Sequence, residues 1–129
     1  MFEQDYIMRQ IKEMTAVIAK IVFGAKTDQS FYMLQEVERQ KAFALIEKMR
    51  NGEIKDAVDD VNRLADTPTK ENLIIGLEFY SQLSDMGDDF LAEKAYSFVS
   101  ARKDFERFAE KFGMQQMTHL YFGGGDDDE

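Results

Sequence analysis

His119 is the only histidine of the chain, and there is no cysteine. Thiol nucleophiles and cysteine-held zinc are therefore excluded. A Ser-His-acid arrangement would have to recruit His119, two residues before Tyr121 near the end of the chain, where a surface position is expected. The Glu-x-x-His pair of di-iron helical bundles is missing, because position 116 is glutamine. Gly24-Ala25-Lys26-Thr27 has the outline of a phosphate loop, but the two positions that must be glycine hold Ala25 and Lys20. Asp85-Met86-Gly87-Asp88-Asp89 opens like a calcium loop, yet its sixth position is Phe90 and its closing position is Tyr96. The first segment is expected to be an interhelix turn. The second is expected to supply capping carboxylates at a helix N-terminus, where the dipole favours them. Acids also pair as Asp59-Asp60, Asp88-Asp89 and Glu106 with Glu110. Acid–base catalysis needs such groups in a cleft with their pKa values pushed apart; on polar helix faces a solvated role is expected. Asp126, Asp127, Asp128 and Glu129 follow three glycines, and a flexible tail offers no fixed coordination geometry. The expectation is no enzyme, no catalytic residue, no metal and no cofactor.

Lys103, Arg107 and Lys111 recur every four residues and line one helical stripe. With Asp104, Glu106 and Glu110 as neighbours, ordinary surface pairing is expected. The sharper alternative is that the stripe receives the acidic tail or an acidic partner. The chain carries 16 basic and 25 acidic residues, a net charge of −9. Nucleic-acid binding runs on neutralisation of phosphates by Lys and Arg, and anionic membranes select the same charge, so neither is an expected partner. The longest apolar run, residues 16–23, is split by Lys20 and falls far short of the ~20 residues that cross a bilayer. Glu3 and Asp5 precede Arg9, which is not the basic lead-in of a signal peptide. A cytoplasmic location is expected, in keeping with the lack of cysteine.

The elements that must position these groups read as helices. There is one proline, Pro68, no period-two run of strand length, and a dominant period of 3.6. About five helices are predicted. The first spans 2–23, with Ile7, Ile11, Met14, Ile18 and Ile21 in one stripe, and Gly24 ends it. The second spans 29–50, capped by Thr27 or Asp28, with 35–41 facing water and Ala42, Leu45, Ile46 and Met49 in the core. Asn51-Gly52 makes a turn into the third, 53–65. Thr67-Pro68 caps and opens the fourth, which is apolar nearly all round and therefore the most buried. Gly87 breaks it, and Asp88 caps a fifth helix running unbroken to Phe112. The chain is thus one domain over 1–122: an N-terminal helix (1–24), helical hairpins (28–112) and a docked segment (113–122). A flexible Gly-rich acidic tail over 123–129 follows.

Gly52 and Gly87 lie 35 positions apart, and at that offset Ala57 meets Ala92, Val61 meets Tyr96 and Leu64 meets Val99. Residues 51–57, Gly76 with Phe79 or Tyr80, and Pro68 loosely resemble tetratricopeptide-repeat hairpins. A generic helical bundle gives the same spacings. The opening Met1-Phe2-Glu3-Gln4-Asp5-Tyr6-Ile7-Met8, the following Ile11-Lys12-Glu13-Met14 and the ending Leu120-Tyr121-Phe122-Gly123-Gly124-Gly125 resemble an uncharacterised family of small all-helical bacterial proteins. That resemblance implies a bacterial, cytoplasmic protein and supplies no catalytic residue.

The expected architecture is all-α, with antiparallel hairpins of tetratricopeptide-like or helical-bundle type. The expected function is a non-enzymatic protein–protein interaction module, self-associating through the wide stripe of the first helix, Ile7, Ile11, Met14 and Ile18. Tyr80 and Tyr96 are candidates for a half-wet groove, since tyrosine tolerates such a site. Lys103, Arg107 and Lys111 complete the candidate surface. The alternatives are a small-ligand-binding bundle or a carboxylate-site enzyme, and weak membrane contact through the first helix.

Overall fold

A computed structural model describes residues 2–122, with side chains from Tyr6 onward except that of Asp88. The described residues form eight helices and no strand: α1 (Phe2–Phe23), α2 (Thr27–Tyr32), α3 (Glu36–Arg50), α4 (Ile54–Leu64), α5 (Lys70–Ser84), α6 (Asp88–Glu93), α7 (Phe98–Glu110) and α8 (Gln115–Tyr121). The all-α class agrees with the sequence reading. The count of five does not, because two expected helices are each broken and the C-terminal segment is itself helical. The tail expectation falls on 123–129, outside the described residues.

The second expected helix breaks at 33–35. Gln35 is extended (φ −71°, ψ 161°), and the Arg39 guanidinium donates to the carbonyls of both Tyr32 and Leu34. An arginine thus satisfies carbonyls that a continuous helix would have bonded itself. The break lets Phe31 and Leu34 both turn inward, where they are buried with Ala42, Ile74 and Ile75. The fifth expected helix breaks at Ala95, which sits at φ 56° while the Tyr96 N–H reaches back to the Leu91 carbonyl at 2.9 Å. This is the geometry of a glycine-type helix stop, with alanine in the glycine's place. Ser97 then caps α7, its hydroxyl accepting from the Ser100 N–H at 3.0 Å.

Smaller boundary corrections have the same physical root in capping. Thr69, not Thr67, caps α5, accepting from the Asn72 N–H at 3.1 Å, so Pro68 precedes the helix. Gly87 is the N-cap of α6 and Asp88 its first residue. Lys26 occupies the N-cap of α2, where the Gln29 side chain accepts from its N–H at 3.1 Å. Gly52 stands at φ 100° and Gly87 at φ −74°, so the two glycines of the proposed repeat do different conformational work.

α5 is the hub, touching α1, α2, α3 and α4, with eight of its residues buried from Leu73 to Leu83. Its all-round apolarity explains this, since each face finds a neighbour. Gly76 faces α7 and admits the ring of Phe108; a Cβ at position 76 would overlap that ring. Around the contact, Phe79, Tyr80, Phe105 and Phe108 are completely buried. Each contributes roughly 2–3 kcal/mol through burial.

α1 lies against α5, α7, α2 and α8. Ile11, Met14 and Ile18 have no exposed surface, and Ile7 is half-buried. The stripe expected to await a second copy is therefore covered by the chain's own helices, chiefly α5 and α7. Ile21, expected in the stripe, is instead 64% exposed, while the next two residues, Val22 and Phe23, pack against the core. α8 closes the C-terminal end. Gln10 donates to the Tyr121 carbonyl at 3.1 Å and the Tyr121 hydroxyl donates to Glu13 at 2.6 Å. That carboxylate pushes the Tyr121 hydroxyl up to about 12.

Candidate functional site

The α2–α3 corner leaves the densest apolar surface uncovered. Tyr32 (67%), Met33 (63%), Val37 (63%) and Phe43 (45%) are all exposed, and all lie within residues 32–43. The kink that buries Phe31 and Leu34 is what turns Tyr32 and Met33 out. Tyr32 and Phe43 both set their rings edge-on to the buried Phe31, with centroids 5.4 and 5.3 Å away. Beside them runs a groove of about 630 Å³, with Phe23, Met33, Leu34 and Ile74 offering apolar side chains. Its other walls include Glu38, Lys41, Lys70 and Glu71, so both signs of charge are present. Glu38 and Lys41 form an ion pair at 3.4 Å.

The two tyrosines put forward from the sequence lie elsewhere and inside. Tyr80 is fully buried, and its hydroxyl donates to Asn62 Oδ1 at 2.8 Å. Tyr96 is 4% exposed, and its hydroxyl donates to Asp104 at 2.8 Å. Neither opens onto a groove, because each hydroxyl has found its partner within the core. Burial pushes both hydroxyls well above the ordinary tyrosine range. The pair belongs to a polar seam between α4, α5 and α7. The buried Asp104 carboxylate also accepts from Arg107 at 2.6 Å, with Lys55 at 3.6 Å, and the Asp104 carbonyl accepts from Asn62 at 3.1 Å. Arg107 is thus an anchor for a buried acid. Lys111 donates to Asp66 at 2.7 Å and to the Asn62 carbonyl at 2.9 Å, tying α7 to the end of α4. Lys103 and Arg107 are exposed, and of the basic stripe only Lys111 is tied to the end of α4 among the described residues.

A second, polar cleft of about 530 Å³ lies between α1, α2 and α5, lined among others by Lys12, Lys26, Asp28, Glu78, Gln82 and Asp85. Lys12 and Asp85 pair across it at 2.6 Å. Glu78 is half-buried and accepts from Gln82 at 2.8 Å; burial raises its carboxyl above the usual value, with the Asp28 and Asp85 charges adding to the effect. Of the acid pairs singled out above, Asp60 is held below the usual carboxylate range by a hydrogen bond from Lys48 at 2.9 Å. His119 lies exposed on α8 beside Gln115, Gln116 and Leu120. Among the described residues, no three His, Asp or Glu side chains gather closely enough to hold a metal ion.

The model of a protein family described as a family of unknown function (DUF6483) matches residues 1–113. The chain belongs to that family. Membership of the DUF6483 family accords with the resemblance carried by the first fourteen residues. The match covers α1 to α7 and stops before α8. Comparison with curated proteins and with solved structures gave no match. Among the described residues no helix is long and apolar enough to cross a membrane.

Sequence reading missed the α2–α3 corner. It placed Val37 at the surface and singled out none of Tyr32, Met33 and Phe43 within one predicted continuous helix. It also missed Asp104, whose burial has no periodic signature. The available signal was Arg102, Asp104 and Arg107 crowding a stripe otherwise apolar.

Proposed function

We propose that this protein is a non-enzymatic interaction module whose contact surface is the α2–α3 corner and its groove. One observation carries the reading: Tyr32, Met33, Val37 and Phe43 are exposed together in a chain whose other large apolar side chains are mostly covered. Apolar groups concentrated on a small area are where partners bind. Groove walls that carry Glu38 and Glu71 as well as Lys41 and Lys70 suit a second copy of the chain, since a two-fold contact can set acids of one against bases of the other. The tetratricopeptide-like kinship, which rests on sequence spacing, and the bacterial, cytoplasmic setting, which rests on the resemblance to a family of small helical bacterial proteins and on the lack of cysteine, belong to the same reading. The test is light scattering of the wild-type chain beside a Met33→Glu/Val37→Glu variant. Self-association lost in the variant supports the corner as the contact. A wild-type chain of 15.0 kDa at every concentration removes the second copy from the reading.

A second reading is favoured by Glu78 alone. A half-buried glutamate with a raised pKa in a polar cleft is the usual setting of a ligand-binding or acid–base carboxylate. The cleft also holds Lys12 and Lys26, which suits a small ligand bearing both charges.

A further inference from the structure

We propose that the cleft between α1, α2 and α5 binds a small aliphatic amine, with the protonated amine seated on the Glu78 carboxylate. The assignment rests on the second reading of this cleft, as a ligand site, and names the ligand's class. The cleft holds about 530 Å³, within the range of small-molecule sites. The Glu78 carboxylate is held from outside it. The Arg50 guanidinium, at the end of α3, donates to the Gln82 side-chain oxygen at 2.6 Å. The Gln82 amide nitrogen in turn donates to Glu78 Oε2 at 2.8 Å. Arg50 thus fixes which end of the amide meets Glu78. The other carboxylate oxygen, Oε1, is left to accept from a ligand.

The charges select a cation. Lys12 and Asp85 pair at 2.6 Å and cancel. Of the other charged groups lining the cleft, Lys26 is outnumbered by Asp28 and Glu78, so an excess of negative charge remains. Burial, and the Asp28 and Asp85 charges, disfavour the ionised form of Glu78, and Gln82 and Lys12 offset this only in part. An ammonium group supplies the missing compensation. A bare metal ion is the poorer occupant, since it takes roughly six oxygens. Among the described residues no three acidic side chains converge to supply them. An ammonium has about three N–H groups to place, and the hydroxyl-bearing Thr27 and Ser81 line the same space as Glu78 and Asp28. Ala16, on the α1 wall, suits an aliphatic arm.

NMR titration of the full chain tests this with three probes: n-butylammonium, γ-aminobutyrate and butyrate. The two amines are expected to shift the amide signals of Thr15, Asp28, Glu78 and Gln82 at millimolar concentration, and butyrate to shift none of them. Glu78→Gln keeps a partner for Gln82 and should weaken both amines about tenfold or more, the cost of a lost charged hydrogen bond. Glu110→Gln makes the same charge change at an exposed position of α7 and should leave binding unaltered. Equal shifts with butyrate overturn the amine and leave the cleft as a ligand site. Shifts from no probe overturn the amine and the ligand-site reading together. Binding that survives Glu78→Gln, or that Glu110→Gln weakens as much, also overturns the proposal, since it shows general attraction to an acidic chain or a seat elsewhere.

Discussion

Two acids show how much surroundings decide. Asp104 is buried yet receives a tyrosine hydroxyl at 2.8 Å and an arginine at 2.6 Å, so its charge is compensated. Glu78 is half-buried with only an amide donor at 2.8 Å, and burial raises its pKa. A carboxyl whose folded pKa is raised contributes its full stability below the unfolded value, here 4.5, and loses it as pH rises through the folded value. At neutral pH the ionised Glu78 therefore costs stability. Glu78→Gln removes that cost while keeping a partner for Gln82. The variant should melt at a higher temperature than the parent at neutral pH, with the gain fading as the pH falls below 4.5. A calorimetric scan at each pH measures this. Equal melting temperatures at neutral pH would show that the cleft solvates Glu78 well, and would remove the support for the ligand-site reading. Neither acid could be sorted from the sequence, where both look like ordinary charges on a helix.

Helix content was legible and helix breaks were not. The 3.6 period located α1, α4 and α5 closely, because apolar faces and the glycines at 24 and 52 mark them. The breaks after Tyr32 and Glu93 carry no glycine or proline. One is held by the Arg39 side chain bonding carbonyls, the other by Ala95 in a left-handed conformation that alanine adopts only under tertiary constraint. What compensates is visible: the turn swings Tyr96 inward to Asp104 at 2.8 Å. Such strain costs roughly 1–2 kcal/mol in an L-residue. Ala95→Gly should relieve most of it and stabilise the protein by about 1 kcal/mol, after allowance for glycine's greater unfolded freedom. Urea denaturation followed by circular dichroism reads the change in midpoint. A lower midpoint would mean that the alanine methyl is worth more than the strain.

For the molecule as a whole, the hub and its covering helices were foreseeable from apolar patterning, while the identity of the open face was not. Periodicity says that α1 has a stripe; it does not say which helix arrives to cover it. α8 illustrates the point, since it lies beyond the residues matched by the family yet plugs the α1–α7 junction with Phe122. Ending the chain at Gly113 should cost about 3 kcal/mol or more from the loss of that burial. It should also raise binding of an apolar dye, because Phe105 loses the cover of Phe122. Unchanged denaturation of the shortened chain would show that the seven preceding helices are self-sufficient.

The notch at Gly76 has a reach beyond this one chain. Phe108 fits only because position 76 presents bare backbone, so the two positions, thirty-two residues apart, are not free to drift separately. Among relatives, a methyl gained at the first is compatible with the same helix spacing only when the ring at the second has given way to something shorter, and sequence variation at the pair should be written jointly.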